Sequence, residues 1–356
     1  MDLARIQLTD AKLADPASGL AFSTDEDDGW HRRKRGSGFA YADTHGNKPG
    51  DKDLSRIKAL VIPPAWTNVW ICKDERGHIQ ATGRDQRGRK QYRYHSEWTD
   101  HRSTTKFDTL VAFSKVLPGL RAQVQSDLRR RSFTYERVVA SVVWLLDNSL
   151  IRVGNPAYAR DNKSFGLTTL RNRHVEITGA KLHFRFKGKS GKQWRLELAD
   201  RRIANIIKSL QDIPGQHLFQ YEDADGRCAI TSRDVNDYIA SFASPDFTSK
   251  HFRTWAATVR AFGLFSEAAV PESQAAQKRM LNQIFDQVAS RLGNTRAVCR
   301  QCYVHPAVPE TWLTGTLRRS GRLKEVDGLD LDEVEAVAFL RRTMTSKSKN
   351  IMPSID

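Results

Sequence analysis

Cysteine is scarce in this chain. Cys72, Cys228, Cys299 and Cys302 are the four among 356 residues. Cys299 and Cys302 form a CxxC pair, a spacing used by zinc and by redox sites. A structural zinc site takes four ligands, and here only His305 lies close in sequence, with no second CxxC and no His pair at ligand spacing. The pair therefore reads as free thiols in a reducing compartment, on the helix that carries Tyr303. Long apolar runs are missing too. None reaches the roughly 18 residues of a membrane span, and the opening MDLARIQLTDAKLAD has no apolar signal core. The expectation is a cytoplasmic protein, in a bacterium one on the nucleoid. GxxxxGK[ST] is absent, as are a Ca²⁺-loop pattern and clustered carboxylates for Mg²⁺. No cofactor and no metal are expected. No internal repeat appears, and low complexity is confined to the short tail from Ser346.

What the chain does have is positive charge. Lys and Arg number 57 against 41 Asp and Glu, a net charge of +16, with a sequence pI of about 9.8. Such an excess points to a polyanionic partner, with nucleic acid first and a membrane surface second, because no long amphipathic basic helix is evident. A basic protein kept soluble by its charge would share this composition. Hydrophobic content of 39% and charged content of 28% are ordinary for folded material, and the length suits two domains.

Residues 1–35 are polar and end in His31-Arg32-Arg33-Lys34-Arg35, which reads either as a solvated loop or as a phosphate-contacting surface. From Gly38 to Tyr94, short aromatic and β-branched runs alternate with Gly, Pro, Asn and Asp, the pattern of a small antiparallel sheet. Asp74-Glu75-Arg76-Gly77 reads as the turn between Val69–Cys72 and His78–Thr82. In a strand, Tyr92 and Tyr94 share a face. Interleaved with Arg93 and Gln91, they suit a surface lying on DNA, although two tyrosines on one strand face are more often sheet packing. Ser103-Thr104-Thr105 reads as the switch into a helical region and as the hinge. Two domains follow: residues 1–104, β-rich, and residues 105–356, mainly helical.

In the second domain, Leu110, Phe113, Leu117 and Leu120 recur at helical spacing, and VVASVVWLL within Tyr135–Leu150 is too apolar for a surface helix. VEI, KLHFRF and QWRLEL alternate as strands around the turn Lys187–Lys192. Ile203–Leu210, Ser232–Phe242, a helix capped at Thr248 or Ser249, and Glu272–Leu292 with Gly293 as its C-cap complete the helical reading. Asp330 with Glu333 reads as a capping box opening a last helix through Arg342.

The stretch Ser290–Val308 reads SRLGNTRAVCRQCYVHPAV. Tyr303 stands amid Arg291, Arg296 and Arg300, with Asn294 nine residues upstream. A phenol with a pKa of about 10 is a poor nucleophile at neutral pH. Placed among cations beside a phosphodiester, it can attack and form a phosphotyrosyl bond. Alone, this window is better read as a surface tyrosine among ordinary arginines.

Four segments stand out together: IRVGN, FKGKSGK, KHFRTW and LGN…Y. In order and spacing, with 37 residues from Arg152 to Lys189, they resemble the small, poxvirus-like bacterial branch of the type IB DNA topoisomerases. The resemblance covers most of the chain. It implies an α+β fold: a small N-terminal antiparallel sheet domain and a larger, mainly helical catalytic domain carrying a β-hairpin sheet, forming a C-shaped clamp around double-stranded DNA as a monomer. It implies Tyr303 as nucleophile, Arg152 and Arg253 as clamps on the scissile phosphate, and Lys189 as general acid to the leaving 5′-oxygen. Asn294 stands where poxvirus and recombinase relatives carry histidine, as a neutral donor to a nonbridging oxygen. Lys250, Tyr92 and Tyr94 match accessory DNA-contacting positions. The implied activity is relaxation of supercoiled duplex DNA by transient nicking, without ATP or a required metal. The chemistry agrees: fixed cations stabilise the charge gathering on nonbridging oxygens, and a leaving alkoxide needs one acid. Two other readings stay open, a tyrosine recombinase, which carries His-x-x-Arg where this chain has Lys250-His251-Phe252-Arg253, and a non-catalytic basic DNA-binding protein.

Overall fold

A computed structural model describes residues 19–86, 88–223, 226–321 and 323–351. The polar first 18 residues and the last five lie outside the described residues. The chain divides into two compact units, residues 1–107 and 108–356.

The first unit is a five-stranded antiparallel sheet in the order β2-β1-β3-β4-β5. Its strands are β1 (Gly29–Arg35), β2 (Gly38–Ala42), β3 (Thr67–Cys72), β4 (Ile79–Arg84) and β5 (Lys90–Tyr94). The sheet therefore starts upstream of the expected Gly38, and the basic run His31–Arg35 is an inner strand rather than a loop. The reason is local. Trp30 is buried, and Arg32 donates to the carbonyls of Ile62, Pro63 and Trp66 at 2.7–3.1 Å while its guanidinium lies 4.2 Å from the Phe39 ring centroid. An arginine that satisfies loop carbonyls can sit in a sheet in spite of its charge.

Helix α1 (Asp51–Ala59) has no counterpart in the sequence reading. It buries only Ile57, so it shows almost no apolar period. It carries Asp51 and Asp53 in the first turn and Arg56 and Lys58 in the last, the charge order that the helix dipole favours. Ile57 joins Trp30, Val69, Ile71 and Ala81 in the core of this unit.

The expected hinge at Ser103–Thr105 lies inside one continuous helix, α2 (Ser96–Asp127). The hydroxyl residues cost at most about 0.7 kcal/mol each in a helix. Phe107 and Trp98, on the same helix, are both buried.

The second unit is mainly helical. Helix α3 (Tyr135–Ser149) is its core element, with Val138, Val139, Val142, Val143, Leu145 and Leu146 all buried. After it come α4 (Pro156–Asn162) and the antiparallel sheet β6 (Val175–Thr178), β7 (Lys181–Lys187) and β8 (Gln193–Ala199). Helix α5 (Arg201–Gln211), the hairpin β9 (Gln220–Asp223) and β10 (Gly226–Ala229), α6 (Ser232–Phe242), α7 (Ser249–Glu267) and α8 (Gln274–Leu292) follow. The chain then forms α9 (Arg296–Cys302), α10 (Ala307–Leu313) and α11 (Leu331–Ile351). The β9–β10 hairpin went unread because neither four-residue strand alternates apolar with polar. The α+β architecture, with an antiparallel N-terminal sheet and a helical second unit, is the one expected.

The capping box at the start of α11 forms: the Glu333 carboxylate accepts from Asp330 N–H at 3.0 Å, and Asp330 Oδ1 accepts from Glu333 N–H at 2.8 Å. Glu333 also accepts from Arg121 on α2 at 2.7 and 2.9 Å and from Trp255 Nε1 on α7 at 2.8 Å. Arg121 in turn pairs with Asp147 of α3 at 2.7 Å. Burial pushes the Glu333 carboxyl up, but the Arg121 hydrogen bonds and charge outweigh it and hold it below its ordinary value. A carboxylate lowered on folding contributes stability above its unfolded pKa and loses it as pH falls through the folded value. Urea unfolding should therefore show stability declining below the ordinary glutamate range, and Glu333→Gln should flatten that decline. Glu333→Ala, which leaves the half-buried Arg121 and the buried Trp255 donors without this acceptor, should lower the unfolding free energy by about 3 kcal/mol.

Candidate active site

Arg253, in the first turns of α7, is the most enclosed of the site residues, 3% exposed. Its guanidinium donates to the carbonyl of Leu150, the C-cap of α3, and at 2.7 Å to the carbonyl of Leu292, the last residue of α8. One side chain thus closes the C-terminal ends of two helices, where orphan carbonyls and the negative end of the dipole favour a cation. Leu150 adopts a left-handed conformation with φ 57°, strained for a branched residue by about 1–2 kcal/mol. Gly293 does the same at φ 64° without that strain.

Each closed end delivers a further site residue two positions later, Arg152 after Leu150 and Asn294 after Leu292. The Arg152 Nη2 donates to Asn294 Oδ1. The Arg152–Gly154 backbone is clasped by the Gly166–Thr169 segment: Leu167 N–H donates to Arg152 O at 2.9 Å, and Thr168 N–H and Oγ1 donate to Val153 O at 2.7 and 3.0 Å. A Cβ on Gly166 would stand 2.5 Å from Arg152 O and 2.6 Å from Gly154 Cα, so only glycine permits the approach.

Tyr303 is half-buried at the C-cap of α9, just past the helix rather than within it. Arg253 Cζ lies 5.2 Å from its ring centroid. Its backbone hangs from α7: buried Thr258 Oγ1 donates to Tyr303 O at 3.2 Å and accepts from His305 N–H at 3.1 Å. Cys299 is buried, and burial pushes its thiol up to about 11, with Arg253 pulling the other way. Cys299 is accordingly unreactive. All four cysteines are free thiols.

Burial presses the Arg253 guanidinium down to about 10, the Arg152 charge adds to this, and Tyr303 opposes it. Arg253 stays cationic at neutral pH. Two guanidiniums are thus held within mutual repulsion. Arg253 Nε and Asn294 Nδ2 are buried with no hydrogen-bond partner. Buried donors are nearly always satisfied. Two orphaned donors beside two cations form a cradle for an oxyanion.

Lys189 comes from a different kind of element. It opens a 3-10 turn, Lys189–Gly191, at the β7–β8 tip and is exposed. Lys250, one turn before Arg253 on α7, is exposed as well. His251 packs between Phe113 and Phe247, with centroids 5.6 and 5.2 Å away, so the histidine beside Arg253 is a packing residue.

Gln91, Tyr92, Arg93 and Tyr94 belong to the other unit, on its edge strand β5. Tyr92 and Tyr94 share a face, stacked at 5.8 Å and 14°, and are 42% and 45% exposed. Gln91 and Arg93 alternate to the opposite face, where they donate to Asp85 Oδ2 and Val61 O, each at 3.0 Å. The aromatic pair and the two polar residues do not form one surface. A cavity of about 1300 Å³, lined in part by Arg121, Asp147, Leu150, Trp255, Leu292 and Glu333, includes none of Arg152, Lys189, Arg253, Asn294 and Tyr303.

The sequence reading missed Thr258, Thr168 and the carbonyls of Leu150 and Leu292. Gly154 and Gly166 were the one available signal for the clasp.

A basic α+β protein that brings a tyrosine, two arginines and an amide together is of the class that acts on polyanions, with nucleic acid foremost. Residues 95–312 match the family described as eukaryotic DNA topoisomerase I, catalytic core, and residues 38–85 match the bacterial DNA topoisomerase IB N-terminal domain. The chain is 35% identical over 286 residues to DNA topoisomerase 1B of Acanthamoeba polyphaga mimivirus, covering 78% of this chain and 85% of that protein. It is 21% identical over 232 residues to DNA topoisomerase 1B of vaccinia virus strain Copenhagen, covering 64% and 70%. The chain belongs to the type IB DNA topoisomerases, isomerases that bind duplex DNA and relax its supercoils. The recombinase and architectural readings are set aside.

Thr258→Val would remove the hydroxyl that bridges the Tyr303 carbonyl and the His305 N–H. Unfolding free energy should drop by about 1–3 kcal/mol, and single-turnover DNA cleavage should slow with DNA affinity unchanged. Wild-type cleavage by this variant would mean that the bridge does not seat Tyr303.

Proposed function

We propose that the chain relaxes supercoiled duplex DNA through a covalent intermediate on Tyr303, with Arg152, Arg253, Asn294 and Lys189 acting on one scissile phosphate. The Tyr303 Oη attacks the phosphorus and the P–O5′ bond breaks, leaving a 3′-phosphotyrosyl linkage and a 5′-hydroxyl. The phenolic proton leaves to solvent, and Lys189 Nζ protonates the departing 5′-oxygen. Arg152 and Arg253 hold the nonbridging oxygens. Asn294 Nδ2 donates to one of them, and because it carries no titratable proton it stabilises charge without shuttling it. The cut strand rotates, and the 5′-hydroxyl then attacks the phosphotyrosyl bond and reseals it. The linkage conserves the phosphodiester's energy, so religation needs no ATP.

What supports this reading is the pair of unpartnered buried donors, Arg253 Nε and Asn294 Nδ2, beside two guanidiniums and the Tyr303 ring. The Arg152 bond to Oδ1 turns the amide so that its N–H₂ end is the free one.

In this proposal the monomer closes on DNA as a C-shaped clamp, with exposed Lys250 and the Tyr92–Tyr94 stack as accessory contacts. Binding rests mainly on phosphates and falls steeply with salt. Among the described residues no helix is long and apolar enough to cross a membrane, and with DNA as substrate the protein works in the cytoplasm on the nucleoid.

Tyr303→Phe should bind DNA but neither cleave nor relax it in a plasmid assay; retained relaxation would refute the nucleophile assignment. Lys189→Ala should slow cleavage by about 10²–10⁴-fold. A substrate with a 5′-bridging sulfur, whose thiolate leaves without protonation, should restore most of that loss. Absence of rescue would move the acid role elsewhere.

A further inference from the structure

Trp194 is the second residue of β8 and 9% exposed. Its cross-strand partner on β7 is Phe186, and the two rings lie parallel, 3° apart with centroids at 6.0 Å. Two backbones meet the edges of the indole. A Cβ on Gly188 would stand 2.7 Å from Cδ1 and Nε1, on the pyrrole side. A Cβ on Gly293 would stand 2.6 Å from Cζ2 and 3.3 Å from Cη2, on the benzo side. Real side chains do not approach that closely, so each glycine is in direct contact with the ring. Gly188 immediately precedes Lys189, and Gly293 immediately precedes Asn294.

The turn that carries Lys189 has few other holds. Within it Gly188 N–H donates to Lys192 O at 2.8 Å and Gly191 N–H to Gly188 O at 3.1 Å. Ser190 and Gly191 both have positive φ, 61° and 80°. These bonds shape the turn without anchoring it. At its base, Phe165 N–H donates to Lys187 O at 2.8 Å, a tie toward the segment that clasps Arg152. The matching tie toward Asn294 is the indole.

We propose that Trp194 is a positioning residue that spans from the Lys189 turn to the Asn294 turn and sets where the acid stands relative to the oxyanion donors. The proposal rests on the reading of Lys189 as the acid. An acid displaced by about 1 Å transfers its proton far less well, a loss of up to about 10²-fold. The glycines carry the logic. Gly188 has φ −94°, a backbone that alanine adopts freely, so only the ring excludes a side chain there.

The test uses the full chain with single-turnover cleavage of ordinary and 5′-bridging-sulfur duplexes, DNA affinity, and thermal unfolding. Trp194→Leu should cleave the ordinary duplex about 10–100-fold more slowly at unchanged DNA affinity, and the sulfur duplex should restore most of that loss. Trp194→Leu combined with Lys189→Ala should be no slower than Lys189→Ala alone, because both remove the same proton transfer. Gly188→Ala should slow cleavage with the indole present, and adding Trp194→Phe should recover it, since the smaller ring frees the space. That pair carries the test if Trp194→Leu fails to fold. If sulfur rescues Lys189→Ala but neither Trp194→Leu nor Gly188→Ala, or if those variants cleave at wild-type rate, the positioning role is wrong and the acid assignment stands. If sulfur does not rescue Lys189→Ala, the acid assignment fails and the positioning role falls with it.

Discussion

The site depends on one buried guanidinium. Arg253 is almost fully enclosed, and two backbone carbonyls at helix ends offset the desolvation of its charge. Both carbonyls belong to turns that would otherwise be orphaned: Leu150 closes α3 and Leu292 ends α8. Because the chain resumes from those ends, the positions of Arg152 and Asn294 follow from where Arg253 sits. The Tyr303 ring lies against the same guanidinium. A single side chain thereby fixes the geometry of three others, drawn from two segments, Arg152 on one and Asn294 with Tyr303 on the other, that lie 142 residues apart.

Two arginines in this unit, Arg121 half-buried and Arg253 buried, have opposite electrostatic fates. Arg121 is desolvated, but Asp147 and Glu333 more than compensate and hold its proton more firmly than usual. That network is closed: one guanidinium meets two carboxylates, and its Nε, Nη1 and Nη2 donors all find acceptors. Around Arg253 the nearby charge is another arginine, its pKa is lowered, and its Nε has no acceptor. The first pattern belongs to folding. The second leaves a cation without a carboxylate partner, and in the proposed function the scissile phosphodiester takes that place.

The division of labour between regular elements and turns follows the same line. Arg253 and Thr258 sit on α7, where packing fixes their rotamers. Arg152, Asn294, Tyr303 and Lys189 sit at helix ends or turns, where the backbone can come close to a substrate. Glycines 154, 166, 188 and 293 mark those turns. At Gly166, Gly188 and Gly293 a side chain would collide with backbone or with the Trp194 ring. Such turns need outside support, which the Thr168 clasp, the Thr258 bridge and the Trp194 ring provide.

Much of this was legible in the sequence. Periodicity marked α3, α6 and α8 almost to the residue, the Asp330–Glu333 spacing announced its capping box, and alternation found the β6–β8 sheet. Motif order identified the candidate Arg152, Lys189, Arg253, Asn294 and Tyr303, because their spacing is a property of the chain itself. The strand at His31–Arg35, the helix at Asp51–Ala59 and the continuity of α2 through Ser103–Thr105 were not legible. Each depends on partners distant in sequence, such as the loop carbonyls that Arg32 satisfies. The same holds for the site's interior. That Gln91 and Arg93 turn away from Tyr92 and Tyr94 to hold Asp85 and Val61, that Arg253 spends two donors on helix ends, and that Trp194 touches two glycines 105 residues apart were decided only by the tertiary structure. Residue order determines which groups are available; burial and the need to pair every enclosed donor determine which of them remain free to act.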